Sequence, residues 1–416
     1  MVGERNKVSF LRTGLTTGIL VLSLLVNYAR ADCRISKGKE DRWEAIVLEN
    51  DYIRVKVLPE SNGRIAEYIL KGAGGERKFF PKMVFKTFEI MPDVETILET
   101  NFSGLEDWIW EVGLTKQYLK YQSKILEKSK EKSSVELSLA GSEYRIIKTV
   151  SIFKDSSEVA IQVKLVNRTS EKKIGSYWPH TCIALDGVID NDNTRIYVPM
   201  NPSTNLERRK GLYLQKIEQE TVYSRKVSDR GKDNGSDFFA PAQEWWAMVK
   251  DNLVLGMLVP LSETDRDGMY YSWSGPAGLS MELIYNSYEF LPGQEQIYHL
   301  SFVSTEGLDS IDYINKYITL AVGREKVKVI GDVVTVPIKI SGVRKISNYR
   351  LELIAIDKNG NEITKGVIEI SELTPIKVIE KEVALKGIKD KGYGLKFRLY
   401  DSKGTKIDEN KLLGIF

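Results

Sequence analysis

After residue 40 the chain almost never repeats apolar residues at helical spacing. Short runs instead alternate apolar and polar residues: 52–58, 135–140, 144–153, 159–166, 245–249, 253–259, 297–303 and 349–356. Period-two alternation sends every second side chain to one face, the pattern of a strand with one buried side. Most runs are bounded by Asn-Gly, Asp-Asn, Lys-Asp-Ser-Ser or Pro-Gly, which favour reversals. Many short strands without a βαβ rhythm predict an all-β chain of antiparallel sheets packed face to face. The charged stretch 116–132 is expected as a long strand entering a hairpin near 128–133. One short helix is expected at 311–320.

The 416 residues suffice for a large domain and a smaller one. A break near 322–326 divides them. Residues 326–416 hold about seven further strand-like runs, with hairpin turns at "DKNGNE" and "DSKG", and no Trp, His or Cys. They are expected to form a smaller immunoglobulin-like β-sandwich without chemistry of its own. The large domain is expected over 32–322. The polar, Gly-punctuated segment 205–238 reads as a solvated insertion, against the alternative of a loop covering one end of a sheet.

Residues 1–31 read as a secretory signal peptide. Arg5, Lys7 and Arg12 precede an apolar run at 15–26, and Ala29-Arg30-Ala31 supplies a small-x-small cleavage pattern. The run is too short to span a bilayer. A secreted or periplasmic location follows, with no membrane attachment after cleavage. The full chain has 60 basic and 57 acidic residues; losing four basic residues and Glu4 with the signal leaves the signs equal. Such balance gives no electrostatic footprint for nucleic acid. Cys33 and Cys182 leave one disulfide open, which spacing alone does not decide. Two His and two Cys without ligand spacing predict no metal, and nothing predicts a cofactor. The oligomeric state is left open.

Aromatic residues crowd one region. Trp108, Trp110, Trp178, Trp245, Trp246, Tyr270, Tyr271 and Trp273 lie beside Glu106, Asp107, Glu111, Gln243, Glu244 and Glu282. Aromatic faces stack on the CH faces of sugars, and carboxylates and amides bind the hydroxyls. Any single Trp is better read as core; the group predicts that a few line a cleft. In "LVNRTSEKKIGSYWPHTCIAL" (165–185) a strand ends, a turn follows at 167–170, and a second strand carries His180. Alternation puts Trp178, His180 and Cys182 on one face, with Tyr177, Thr181 and Ile183 on the other. Pro179 requires an edge or a bulge.

This segment resembles the galactose-mutarotase-like superfamily, in which an Asn-x-Thr/Ser turn precedes a strand bearing a catalytic His; here Asn167 and His180 are 13 apart. "LENDYIRVKVLPESNGRIAEYIL" (48–70) is similar to the superfamily's opening hairpin. "SGLEDWIW" (103–110) and "MELIYNSYEFLPGQEQIYHLSF" (281–302) resemble segments of its uncharacterised branch and its closing element. The resemblance spans roughly 42–320. It implies a large antiparallel β-supersandwich and a carbohydrate ligand, mono- or polysaccharide. It also implies His180 as acid and Glu282 as base of an aldose 1-epimerase-like isomerase. Arg64, Glu106, Trp108, Glu244 and Trp246 are the expected sugar-binding residues, with Arg64 at the rim. The chain departs from the family where Thr181-Cys182-Ile183-Ala184-Leu185 replaces an aromatic-rich Tyr-Phe-Asn-Leu. It also lacks a second helping His, since His299 reads as structural. Enzymatic activity therefore stays open. The alternatives are a non-catalytic polysaccharide-binding protein and a structural envelope protein.

Overall fold

The computed structural model describes residues 32–40, 43–72, 74–82, 87–88, 98–99, 103–110, 120–141, 143–200, 221–230, 235–275, 278–388 and 392–412. The expected signal peptide lies outside them. The all-β expectation is borne out. Every named strand pairing among the described residues is antiparallel, and the only helical pieces among them are short 3-10 turns. No helix among them is long and apolar enough to cross a membrane.

Two large sheets face each other. An eight-stranded sheet runs in the order Arg34–Glu40, Trp43–Glu49, Ile53–Leu58, Arg64–Gly72, Gly104–Trp110, Lys173–Cys182, Tyr288–Phe290, with Gly75–Lys78 added beside Arg64–Gly72. A nine-stranded sheet is centred on Leu253–Leu258, Glu295–Glu306 and Val159–Asn167. Their inward faces interdigitate: Leu48, Val55, Leu105 and Tyr177 meet Leu137, Val150, Leu165, Met257 and Phe302 in one buried core. A small third sheet joins Gly235–Phe239, Met269–Gly275, Gly278–Leu279 and Glu282–Ile284.

Part of the outer face of the nine-stranded sheet, over Arg195–Met200, Trp245–Lys250, Leu253–Leu258 and the end of Glu295–Glu306, is buried as well. Tyr197, Trp245, Ala247, Val254 and Val303 pack against Ile318, Leu320, Val336 and Leu353 of the C-terminal region. That region forms one five-stranded and one four-stranded sheet. The helix expected at 311–320 is not there. Tyr313–Ile314 and Ile318–Val322 are strands, and the second pairs with Val333–Gly342. Thr319, Leu320, Ala321 and Val322 can occupy either structure by propensity, and pairing with a partner strand decides it. Residues 318–322 thus share a sheet with the segment beyond 326.

The segment 205–238 is also more structured than a solvated insertion. Thr221–Lys226 is the edge strand of the nine-stranded sheet and Gly235–Phe239 pairs with Met269–Gly275, whereas 205–220 and 231–234 lie outside the described residues. The hairpin near 128–133 is present, with Gln122–Lys128 against Lys132–Ala140. Asn359-Gly360 also turns as expected, Gly360 having φ +84° between Ile346–Ile356 and Glu362–Leu373. Cys33 and Cys182 are both free and buried.

Candidate functional site

The site is built on two neighbouring strands in fixed register. Gly104–Trp110 and Lys173–Cys182 run antiparallel, with Trp108 opposite Trp178 and Glu106 opposite His180. Directly opposed residues share a face, so these four side chains point to the outer face of the eight-stranded sheet. Asp107, Ile109 and Tyr177 point the other way, into the core. The alternation expected around His180 is therefore what the strand adopts.

Pro179 explains how a third strand enters. On the far side of Lys173–Cys182, Met281 and Tyr285 donate their N–H groups to the carbonyls of Thr181 and Tyr177. Between these two bonds sits Pro179, which has no N–H to give. Across that gap Glu282–Ile284 pairs instead with Met269–Gly275, Glu282 standing opposite Tyr271. This brings the Glu282 carboxylate over His180.

Arg64 arrives from the opening hairpin. Asn62 and Gly63 take positive φ of 58° and 57° at its turn, and a Cβ on Gly63 would press on the Tyr121 ring. Gly104 has φ +65° and passes so close to Arg64–Gly72 that a Cβ would overlap the Ile65 carbonyl oxygen. That approach lets the Arg64 guanidinium donate to the Ser103 carbonyl at 2.5 Å and to Glu106 Oε2 at 2.5 Å. Arg64 is only 3% exposed. It does not stand at a rim, as expected from the sequence; it grips Glu106 from below, because the two-glycine approach draws the strand end inward.

His180 lies between two carboxylates. Its Nδ1 is 3.4 Å from Glu106 Oε1 and its Nε2 is 3.6 Å from Glu282 Oε1. Its ring stacks parallel on Trp108, centroids 4.0 Å apart with planes 2° apart. A protonated imidazole is favoured in that position by the indole face and by both carboxylates. Trp108 meets Trp178 edge to face at 5.2 Å, and Trp178 Nε1 donates to Glu282 Oε2 at 2.6 Å. Trp178 then meets Tyr271 edge to face at 5.9 Å, and Tyr271 lies against Phe238 at 4.7 Å.

The electrostatics set the three groups apart. Burial alone would raise the Glu106 pKa, but the Arg64 charge and the hydrogen bond from His180 outweigh it and hold Glu106 at about 2. Burial would disfavour charged His180; the Glu282 charge and the Glu106 contact overcome that and raise it above its ordinary value. Burial raises Glu282 despite the opposing pull of His180, Ser280 and Trp178. Glu106 is thus a fixed anion, and His180 and Glu282 form a pair across which a proton can move. Among the described residues no group of three or more His, Cys, Asp or Glu could hold a metal ion.

Two expected site residues lie elsewhere. Trp246 is fully buried between the large sheets, stacked on Tyr270 at 5.6 Å with its Nε1–H directed at the Met257 sulfur. Glu244 is exposed, accepts the Leu261 N–H, and lines a cleft of about 590 Å³ with His299, Tyr313 and Asp408. Trp245–Lys250 is buried on both faces, so alternation carried no information about which face met a ligand. His299 sits on the nine-stranded sheet, paired with Glu263 at 2.7 Å.

Sequence reasoning missed the support beneath the site. Asp107 and Lys148 form a sealed ion pair at 2.7 Å, with side chains 1% and 0% exposed. Tyr177 and Tyr121 donate their hydroxyls to Asp107 at 2.6 and 3.1 Å. Only the alternation of Glu106, Asp107 and Trp108 hinted that Asp107 faces inward. Trp178 and Tyr271 stood in the aromatic group without being singled out as site residues.

No family model and no curated protein matches the sequence. Among solved structures, the chain is similar to a galactose mutarotase-like protein from Clostridium acetobutylicum, at 10% identity and a TM-score of 0.47, covering 66% of this chain and 99% of that one. A galactose mutarotase related enzyme from Lactobacillus acidophilus gives 10% identity and 0.41, covering 65% and 100%. A TPR-domain containing protein from Parabacteroides distasonis gives 13% and 0.49, covering 66% of this chain; the chain spans about half, 49%, of that protein's length.

Proposed function

We propose that the protein recognises a carbohydrate in the manner of the galactose-mutarotase-like proteins, and that the site interconverts the anomers of an aldose. The observation that carries this reading is His180 held within 3.6 Å of Glu282 on the outer face of the large sheet. The ring oxygen and anomeric hydroxyl of a pyranose share one carbon. An acid and a base a single contact apart can therefore serve both. His180 gives its proton to the ring oxygen while Glu282 takes the anomeric hydroxyl proton, and the bond between anomeric carbon and ring oxygen breaks. Rotation of the open-chain aldehyde and the reverse transfers close the other anomer and restore both groups. Glu106, kept ionised by Arg64, accepts sugar hydroxyls and favours the charged imidazole; Trp108 and Trp178 offer stacking faces.

A second reading has its own support. The Glu282 side chain is 1% exposed and is held by Trp178. A carboxylate so enclosed can orient His180 in a site that binds sugar without turning it over. Anomer exchange followed by NMR separates the two. Under the first reading, His180→Ala and Glu282→Gln each slow exchange by about two to four orders of magnitude. Saturable sugar binding without exchange by the parent protein selects the second, and absence of any sugar binding refutes both. Export with cleavage after Ala31, to the periplasm or the medium, rests on the order of basic, apolar and small residues at the N-terminus. An immunoglobulin-like type for the C-terminal sheets rests on their two-sheet packing and hairpin order.

A further inference from the structure

We propose that the site takes the reducing end of an oligosaccharide, and that the next sugar units lie across Tyr271, Trp273 and Phe238. This rests on the carbohydrate reading above and names its substrate class. The outer face continues without a break from Glu282 into the third sheet. Tyr271 stands opposite Glu282 on one side and opposite Phe238 on the other, and Trp273 stands opposite Ser236. Along Met269–Gly275 the residues facing inward, Tyr270, Ser272 and Ser274, are buried; on the other face Met269 is buried against Trp178, Phe238 and Tyr271, while Tyr271 and Trp273 keep part of their surface in solvent. Phe238 does the same between buried Asp237 and Phe239.

The outer face of an antiparallel sheet is ordinarily polar. Aromatic rings side by side there, continuous with an acid–base pair, form a platform for flat, weakly charged ligands. Ser236 Oγ and the Tyr271 hydroxyl, 3.0 Å apart, add a polar edge able to meet sugar hydroxyls. Phe238 lies two strands from Glu282, about 10 Å, which one sugar ring does not cover. Ring opening requires a free anomeric carbon at His180 and Glu282. A longer ligand must therefore present its reducing end there and extend the rest of its chain over the platform.

The probes are glucose, galactose and mannose, and their β-1,4-linked trimers, titrated calorimetrically. At least one trimer is expected to bind about tenfold or more tightly than its monosaccharide, the worth of one well-stacked ring. Trp273→Ala is expected to abolish that gain while leaving monosaccharide affinity within about twofold, which also shows that the variant is folded. Reducing the terminal sugar of that trimer to its alditol is expected to weaken binding by about tenfold. Equal affinity for monosaccharide and trimer, a trimer gain that survives the Trp273 substitution, or equal binding of the alditol overturns the inference and leaves carbohydrate recognition standing. Binding of no sugar at all overturns both.

Discussion

Replacing Lys148 by Met is expected to be among the most costly single changes in the large sandwich. Lys148 reaches from the nine-stranded sheet through the core to Asp107, and both side chains are sealed, at 0% and 1% exposure. Met fills most of the Lys volume, so the loss is electrostatic. Asp107 keeps the Tyr177 and Tyr121 hydroxyls but loses the Lys148 charge in a site closed to water. An uncompensated buried charge costs about 3–5 kcal/mol, a large part of the stability of an ordinary domain. Removing both charges with Asp107→Asn and Lys148→Met together should bring the protein back to within about 2 kcal/mol of the parent, since the new amide oxygen still accepts a tyrosine hydroxyl. All seven Trp lie between residues 43 and 273, so Trp fluorescence during urea denaturation reports on the large sandwich. A single-variant cost below about 1 kcal/mol, or a double variant as unstable as the two singles added, would refute the reasoning.

His180 and Glu106 give opposite pH signatures. The folded state raises His180 above its ordinary 6.5, so its stabilising contribution is complete below that value and fades as pH rises through the folded value. Glu106, held at about 2, contributes above its ordinary 4.5 and loses that contribution as pH falls toward 2. With only two His in the chain, NMR titration should show the raised resonance moving down in Glu106→Gln; an unchanged titration would contradict the pairing. Burial pushes the Cys33 thiol to about 11 and Cys182 well above its usual range. Both should resist a thiol reagent in the native protein and react after unfolding, and fast native labelling would count against their burial. Trp246→Ala should cost about 3–5 kcal/mol with sugar affinity intact, whereas Trp108→Ala should lose affinity; the reverse result would restore Trp246 to the site. A chain ended at Val322 leaves Ile318–Val322 without Val333–Gly342 and bares Trp245, Ala247 and Val254. It should be insoluble, and a soluble monomer would show that the C-terminal sheets are dispensable.

Local pattern was enough for the strand class and for which residues share a face with His180. Period-two alternation needs only local order to be read, so Trp178 and His180 were legible as one face, and Pro179 as a break in a ladder. The closing Glu and Pro-Gly order, taken with the resemblance, pointed to Glu282, which does lie beside His180. Tertiary structure decided what local pattern cannot carry. Trp245–Lys250 is buried on both sides, by the central core and by the C-terminal sheets; a doubly buried strand has no polar face to betray its orientation, so Trp246 was misplaced, while exposed Glu244, just before the strand, is turned to the Leu261 N–H. Residues 311–320 lacked a distinguishing periodicity, and a partner strand settled them. Arg64 and Lys148 depended most on the fold. Whether an arginine stands at a rim or beneath a carboxylate, and whether a lysine faces water or crosses a core, depends on which distant strand arrives beside it. A chain's own spacing does not encode a partner 42 or 41 residues away; the close approach at Gly104 and the stacking of two sheets do.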